Sequence, residues 1–384
     1  MKIIHICLTG PVTDGWNYQD NLLPKYQQKA GNDVTIITSK WIWGTDGKLI
    51  RDNRNSYINE NGVKVIRLEI KGKDNFSRKL KKFKELYETI AETEPDIVFV
   101  HNVAFRDTVV IEKYLESHPS VIAFADNHAD KSNSATNWLS ENILHKIIWR
   151  YYARKLIPYV RKFYGVLPVR VDFLTEMYGI PKEKCELLVL GADDELVEKS
   201  KQTDVISKVR EKYGISSDDF LIMTGGKIDP WKTQTILLME AVKKINCPNV
   251  KLIVFGSVTD DLKDRVNSLV SDRIQYIGWV KTEDSYPLYA SADLVVFPGR
   301  HSVMWEQVAA LGIPMIVKDW PGTHHVDLGG NVEFLDKDDA MLIKSKILEI
   351  LDSKEKYNSM KAVAVEKGMK TFSYKEIAKR SIMA

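Results

Sequence analysis

Phe220-Leu221-Ile222-Met223-Thr224-Gly225-Gly226-Lys227-Ile228-Asp229-Pro230-Trp231-Lys232 reads as a buried strand, a glycine turn and the approach to a helix. The apolar run suits a strand covered on both faces, and Thr235-Ile236-Leu237-Leu238-Met239-Glu240-Ala241-Val242 continues it as an amphipathic helix. Glycines let a backbone approach a ligand closely, and Lys227 and Lys232 flank a helix start whose free amides and dipole favour an anion. A diphosphate suits that setting; the plain alternative is an ordinary loop with two solvated lysines. Gly225-Gly226-Lys227 superficially hints at a Walker loop, but the spacing G-x-x-x-x-G-K-[ST] is not there.

The same alternation of short β-branched runs and helical patterns extends in both directions. Before this segment the strand candidates are 3–8, 34–38, 63–68, 97–100, 121–125, 164–167 and 187–190; from it onward they are 220–224, 252–255, 274–277, 294–297, 314–317 and 332–334. The pattern restarts after a polar stretch, 193–219, which places a boundary near residue 195. With 384 residues, 44% of them apolar, the chain fills two cores. The fold class is therefore α/β, two Rossmann-like, doubly wound parallel-sheet domains, with ligands expected in a cleft at the carboxyl ends of the strands. The first such loop, Thr9-Gly10-Pro11-Val12-Thr13-Asp14-Gly15-Trp16-Asn17, has no G-x-G-x-x-G, which disfavours a dehydrogenase and leaves Gly15 and Asn17 as candidate acceptor contacts.

Composition excludes other classes. No apolar run approaches the roughly 18 to 20 residues that span a bilayer, and 3–8 is too short for a signal-peptide core, so a cytoplasmic protein is expected. Cys7, Cys185 and Cys247 are far apart and form no zinc or disulfide pattern. A net charge of +3 does not argue for nucleic acid. Two local stretches are strongly basic: 71–84, with seven Lys or Arg against Asp74, and 146–170, with seven and no acid. In 76–90, Phe76, Leu80, Phe83, Tyr87 and Ile90 fall at helical spacing opposite Arg78, Lys81 and Lys82. The second stretch mixes Trp149, Tyr151, Tyr152, Tyr159 and Phe163 with its cations. Both patterns suit an ordinary domain helix or peripheral contact with the inner face of an anionic membrane.

Further loops complete a recognisable series: Phe255-Gly256-Ser257, Tyr276-Ile277-Gly278-Trp279-Val280, Tyr289-Ala290-Ser291-Ala292-Asp293, and Phe297-Pro298-Gly299-Arg300-His301-Ser302-Val303-Met304-Trp305-Glu306-Gln307 before Gly312-Ile313-Pro314. Over nearly its whole length the chain resembles the retaining glycosyltransferases of the GT-B fold, in particular glycosyltransferase family 4 (glycosyl transferases group 1). In that family a Gly-Arg pair and a later Lys-Gly contact the donor diphosphate; Gly226-Lys227 and Lys232-Thr233 stand there, with lysine giving up arginine's bidentate fork but still neutralising phosphate. The family also has two glutamates eight residues apart. The second, which accepts from the ribose hydroxyls, corresponds to Glu306 or, one residue on, Gln307; the first falls on Pro298. The backbone of Gly299 to Ser302, with Arg300 or His301, is the natural substitute. Gly256 and Trp279 complete the donor side.

In Val121-Ile122-Ala123-Phe124-Ala125-Asp126-Asn127-His128-Ala129-Asp130 the resemblance makes His128 the histidine that meets the donor sugar near the reacting centre, with Asp126 and Asp130 as acceptor-binding or base groups and His101 behind them. The pairs Asp218-Asp219 and Asp260-Asp261 read as turns or caps rather than a D-x-D, so neither a metal nor another cofactor is expected. Lys370-Thr371-Phe372-Ser373-Tyr374-Lys375-Glu376-Ile377-Ala378 resembles the family's last helix, which returns to the first domain. The expected division is 1–195 for the acceptor, 196–366 for the nucleotide-sugar and 367–384 for the returning helix. The implied reaction is transfer of a hexosyl or N-acetylhexosaminyl group from a nucleotide diphosphate sugar, UDP-linked before others, to a glycan or lipid-linked acceptor. A sugar-nucleotide epimerase and a non-catalytic donor-binding protein are the rival readings.

Overall fold

The computed structural model describes residues 1–44, 48–72 and 81–383, in two compact units. Unit 1 is Met1–Leu190 with Tyr374–Ala384, and unit 2 is Gly191–Ser373.

Unit 1 contains β1 (Lys2–Cys7), β2 (Asp33–Ser39), β3 (Trp41–Trp43), β4 (Leu49–Arg51), β5 (Ser56–Ile58), β6 (Lys64–Leu68), β7 (Ile97–Val100), β8 (Ile122–Asn127), β9 (Val160–Gly165) and β10 (Cys185–Leu187). Eight of them form one sheet in the order β10-β9-β8-β7-β1-β2-β6-β5. All pairs are parallel except β5 on β6, and β3 and β4 make a separate hairpin. The central strands are buried on both faces, which is why they read as continuous apolar runs. The closing helix Tyr374–Arg380 packs on the helix Gln19–Lys29 through Tyr374, Ile377 and Ala378, all buried, so the chain's last helix belongs to unit 1.

Two basic stretches of unit 1 take the following form. Residues 76–80 of the amphipathic 76–90 pattern lie outside the described residues, and of the remainder only the part from Leu86 onward is helical, in Leu86–Thr93. Lys81 and Glu85 take left-handed backbone angles, and the intervening chain pairs with 69–71: Lys71 N donates to Lys82 O at 2.7 Å and Lys84 N to Glu69 O at 2.9 Å. In 146–170 the aromatic residues face inward, because the second half of the stretch is β9, inside the sheet. Trp149 and Phe163 are buried, Tyr152 and Tyr159 pack against the core, and Tyr151 alone among those five is exposed.

Unit 2 holds β11 (Phe220–Gly225), β12 (Val250–Phe255), β13 (Ile274–Tyr276), β14 (Leu294–Phe297), β15 (Met315–Lys318) and β16 (Val332–Leu335), all parallel, in the order β13-β12-β11-β14-β15-β16. From β11 the chain moves outward to β12 and β13 on one side, and β14 to β16 fill the other. The order reverses between β11 and β14, and that switch point opens a crevice outside the carboxyl ends of the two strands. Ala192 N donates to Phe372 O at 2.8 Å, so the two segments that connect unit 2 to unit 1 leave it side by side.

Candidate active site

The loops after β11, β12 and β13 are laced together by their backbones. Gly226 N donates to Phe255 O at 3.0 Å, Ile228 N to Ser257 O at 2.8 Å, and Gly256 N to Gly278 O at 2.7 Å. This requires glycine at 256: its φ is +125°, and a Cβ there would lie 1.9 Å from Gly226 O. Gly226, with φ +138°, has nothing within 4 Å of where a Cβ would stand, so its open side faces free space. The result is a bare backbone ledge at the switch point. Lys227 and Lys232 stand on it, both exposed; Lys227 Nζ is 3.5 Å from the Asp229 carboxylate. The helix Gln234–Lys243 starts just beyond with no side-chain cap at Thr233, which leaves its first amides for a ligand.

Across the switch point the loop after β14 carries Gly299, Arg300, His301 and Ser302 into the helix Met304–Leu311, whose N-terminus is also uncapped by a side chain. Gly299 is beside Gln234, and the Arg300 guanidinium lies 5.6 Å from the centre of the Trp320 ring. Trp279 is 69% exposed, as is Trp231 at 85%, both on the loops at this end of the sheet. The donor-side residues expected from the sequence, Gly226, Lys227, Lys232, Gly256, Trp279 and Gly299 to Ser302, are thus gathered on the carboxyl-end loops of one sheet.

Glu306 differs from them. Its carboxylate is fully buried, and one oxygen, Oε1, accepts from both His301 Nε2 and His325 Nε2 at 2.8 Å each, while Oε2 has no hydrogen-bond partner. Burial alone would raise its pKa, but the two imidazoles hold the carboxyl well below the usual range. Glu306 therefore ties the loop after β14 to the loop after β15, with one acceptor atom left over. Gln307 is buried on the same helix. Sequence reasoning missed His325, which comes from a different strand-to-helix loop. It also passed over Asp336-Lys337-Asp338, a D-x-D after β16; Asp338 accepts from Gln234 Nε2 at 3.0 Å and pairs with Lys318 Nζ at 2.9 Å, so protein cations and amides already hold it.

In unit 1 the carboxyl ends of β1, β7 and β8 build a buried polar chain. Gln27 Nε2 donates to Ser381 Oγ at 3.0 Å, which turns its oxygen toward His5; His5 Nε2 donates to Gln27 Oε1 at 2.6 Å. His5 Nδ1 is then an acceptor, 2.8 Å from His101 Nε2. The other nitrogen of His101 faces two carboxylates, Asp126 at 3.0 Å and Asp20 at 3.2 Å. Both His101 nitrogens therefore carry protons, and His101 is an imidazolium. Burial opposes that charge, and Cys7, Asp126 and Asp20 override it, lifting the pKa well above 6.5. His5, buried and beside this cation, is pushed down to about 3 and stays neutral.

Asp126 is the hub. Its carboxylate is inaccessible, takes Gln19 Nε2 at 2.9 Å and Asn102 N at 2.8 Å, and lies 3.2 Å from His128 Nε2. Burial would raise its pKa, and His128 and His101 bring it far below the usual carboxylate range. His128 and Asp20, each with about a third of the side chain exposed, are the members of this chain that reach solvent. Asp126 thus orients the two histidines. Asp130 is separate: Arg170 Nε donates to one oxygen at 2.9 Å and Ser132 and Asn133 occupy the other, making it a loop anchor. Gly15 N donates to Glu60 Oε1 at 2.8 Å, and the Asn17 amide nitrogen is buried without a hydrogen-bond partner, so the first loop is held on one side and carries an unused donor on the other.

The two largely parallel sheets, the switch-point crevice and the glycine-laced ledge define the GT-B class of fold, and solved structures agree. A glycosyltransferase from Rickettsia africae superposes with a TM-score of 0.70 at 16% identity, covering 99% of this chain and 96% of that one. HepE from Anabaena, solved with UDP, gives 0.70 at 16% identity over 99% and 98%. Residues 219–353 match the family model of glycosyl transferases group 1. An uncharacterised glycosyltransferase of Methanocaldococcus jannaschii is 23% identical over 154 residues, 38% of this chain; the match spans 39% of that protein's length.

Proposed function

We propose that this protein is a retaining glycosyltransferase that takes a hexosyl or N-acetylhexosaminyl group from a nucleotide diphosphate sugar, UDP-linked before others, to a glycan or lipid-linked acceptor in surface polysaccharide or glycolipid synthesis. One observation carries the donor half of this reading. The Gly226–Gly256 contact leaves a side-chain-free ledge at the carboxyl end of the sheet, where two helices also begin without side-chain caps and Lys227 and Lys232 are exposed. Backbone amides and two ammonium groups suit a diphosphate, and they grip it harder as charge builds on the leaving group. That supply of positive charge makes a metal ion unnecessary, and no other cofactor is called for. The ribose hydroxyls find an acceptor in the unused Oε2 of Glu306. His128, braced by Asp126, offers its outer nitrogen to a hydroxyl of the donor sugar.

Calorimetric titration of the whole protein with UDP, GDP and ADP tests the donor site. UDP binding should weaken by at least about tenfold in Lys227→Ala and in Lys232→Ala, as expected for loss of a charge-assisted contact to phosphate. Equal binding of UDP by wild type and both variants would remove the site. Product analysis with UDP-sugars then separates transfer from epimerisation and from binding alone.

A further inference from the structure

We propose that His101, Asp126 and His128 form a binding site in unit 1 for a divalent transition-metal ion of the zinc class, a site that uses no residue of the donor ledge in unit 2. His101 follows β7, Asp126 lies at the carboxyl end of β8 and His128 comes just after it, so neighbouring strands bring the three together. They offer ligand atoms within 4.8 Å of one another, and Asp126 Oδ2 is 3.0 Å from His101 Nδ1 and 3.2 Å from His128 Nε2. Bonds of about 2.0–2.1 Å to a tetrahedral ion hold neighbouring ligand atoms about 3.3 Å apart, close to the spacing already present. Distance alone would suit two ion pairs equally well, and direction separates the cases. His101 Nδ1 and His128 Nε2 are buried atoms without an aligned hydrogen bond, although a carboxylate oxygen stands close to each. An imidazole nitrogen aimed beside its neighbouring oxygen is what a shared ion requires, because each lone pair must point at the ion and not at the next ligand.

The His301–Glu306–His325 cluster shows the contrast. There both Nε2 atoms donate directly to Glu306 Oε1 at 2.8 Å, and the hydrogen bonds take up the directions an ion would need. Around His101 and Asp126 the outer contacts are those of a held ligand set. His101 Nε2 donates to His5 Nδ1 at 2.8 Å, which leaves Nδ1 for the ion; Asp126 accepts from Asn102 N at 2.8 Å and Gln19 Nε2 at 2.9 Å, which fixes its carboxylate. Asp20 Oδ1, 3.2 Å from His101 Nδ1, is placed to orient a water in the remaining coordination position. Without an ion, the proton on His101 Nδ1 balances the two carboxylates. The ion displaces that proton to solvent and brings one more positive charge to the same place. Two imidazoles and one carboxylate select zinc, cobalt or ferrous iron over magnesium and calcium, which prefer oxygen throughout. His128 and Asp20 reach solvent, so the ion has a way in.

The test is titration of the whole protein, first stripped with a chelator, with cobalt(II) followed by visible absorption. The wild type should take up one equivalent with the intense bands of a low-coordinate site, and lose them to an equivalent of zinc but not to excess magnesium. His128→Gln should weaken cobalt binding at least about a hundredfold, the upper end of what loss of a mere outer contact costs. His128→Cys should recover binding and add a near-ultraviolet thiolate-to-cobalt charge-transfer band, which arises only when side chain 128 touches the ion. His325→Gln should bind cobalt as the wild type does. Far-UV circular dichroism checks that each variant is folded. Any one of four results would overturn the proposal: no stoichiometric site in the wild type, equal binding by a folded His128→Gln, a folded His128→Cys that binds cobalt without the charge-transfer band, or loss of cobalt in His325→Gln.

Discussion

His5→Gln should leave the protein less stable at neutral pH and yet less sensitive to acid. Burial, then the charge on His101, push the His5 pKa from its ordinary 6.5 down to about 3. Between those values the unfolded chain holds a proton that the folded chain refuses, so stability falls with pH at about 1.4 kcal/mol per unit, roughly 5 kcal/mol in all. A base whose pKa is lowered by folding contributes its full stability above its unfolded value and loses it as pH falls toward the folded one. Between about pH 7 and 5 Asp126 and Asp20 are silent, and His101 adds a slope of opposite sign that both proteins share. His101, raised well above 6.5, keeps its proton in the folded state while the unfolded chain gains one, and Asp126 and Asp20, both lowered, are ionised in both. His145, lowered to about 4 by burial and then by Lys81, adds a second, unchanged slope. Glutamine can donate to Gln27 and accept from His101 without titrating, but it loses the ring stacked on Phe99 and should cost about 1–3 kcal/mol at pH 7. Urea unfolding of both proteins at steps between about pH 7 and 5 should show the gap closing by about 2 kcal/mol in all, with a slope that approaches about 1.4 kcal/mol per unit below about pH 5.5. A gap that stays constant would mean His5 is not held neutral by the fold, and the assignment of His101 as an imidazolium would fall with it.

Other substitutions probe the remaining joints. Gly256→Ala must push a methyl into Gly226 O at an unfavourable φ and should destabilise unit 2 by more than about 3 kcal/mol and abolish UDP binding, whereas Gly10→Ala, with nothing within 4 Å, should change thermal stability by less than about 0.5 kcal/mol. Glu306→Gln takes the charge from between two buried histidines and should lower the melting temperature by about 5–10 °C; an unchanged melting curve would show that His301 and His325 do not depend on it. Asp126→Asn removes a carboxylate from His101 and His128 together and should cost about 3–5 kcal/mol in urea unfolding, with turnover, once a donor is known, falling by about 10².

The central strands were legible because burial on both faces leaves only apolar, β-branched side chains: 97–100 and 294–297 are met by β7 and β14 residue for residue. The edge elements β3, β4 and β5 were not, since three-residue strands with one solvated side carry no period to read. In 146–170 the aromatic residues suggested an interface, but a strand threaded into the sheet buries the same residue types, and composition cannot tell the two apart. The loops expected on the donor side could be found because each lies next to its own strand in sequence. The partners of His128 and Glu306 could not. His5, His101 and Asp126 meet only because β1, β7 and β8 are neighbours in the sheet, and His325 reaches Glu306 only across two strand-to-helix loops.

Ser381 and Gln27 close the polar chain of unit 1 from opposite ends of the polypeptide. On the ribosome, the first 190 residues emerge with the outer surface of Gln19–Lys29 bare and Gln27 lacking its final partner, and they wait until the whole of unit 2 has been synthesised before Tyr374–Arg380 arrives to cover them. The unit made first is therefore the unit finished last, and a ribosome that stalls anywhere within residues 191–373 releases an N-terminal half with an apolar seam still open to chaperones and proteases.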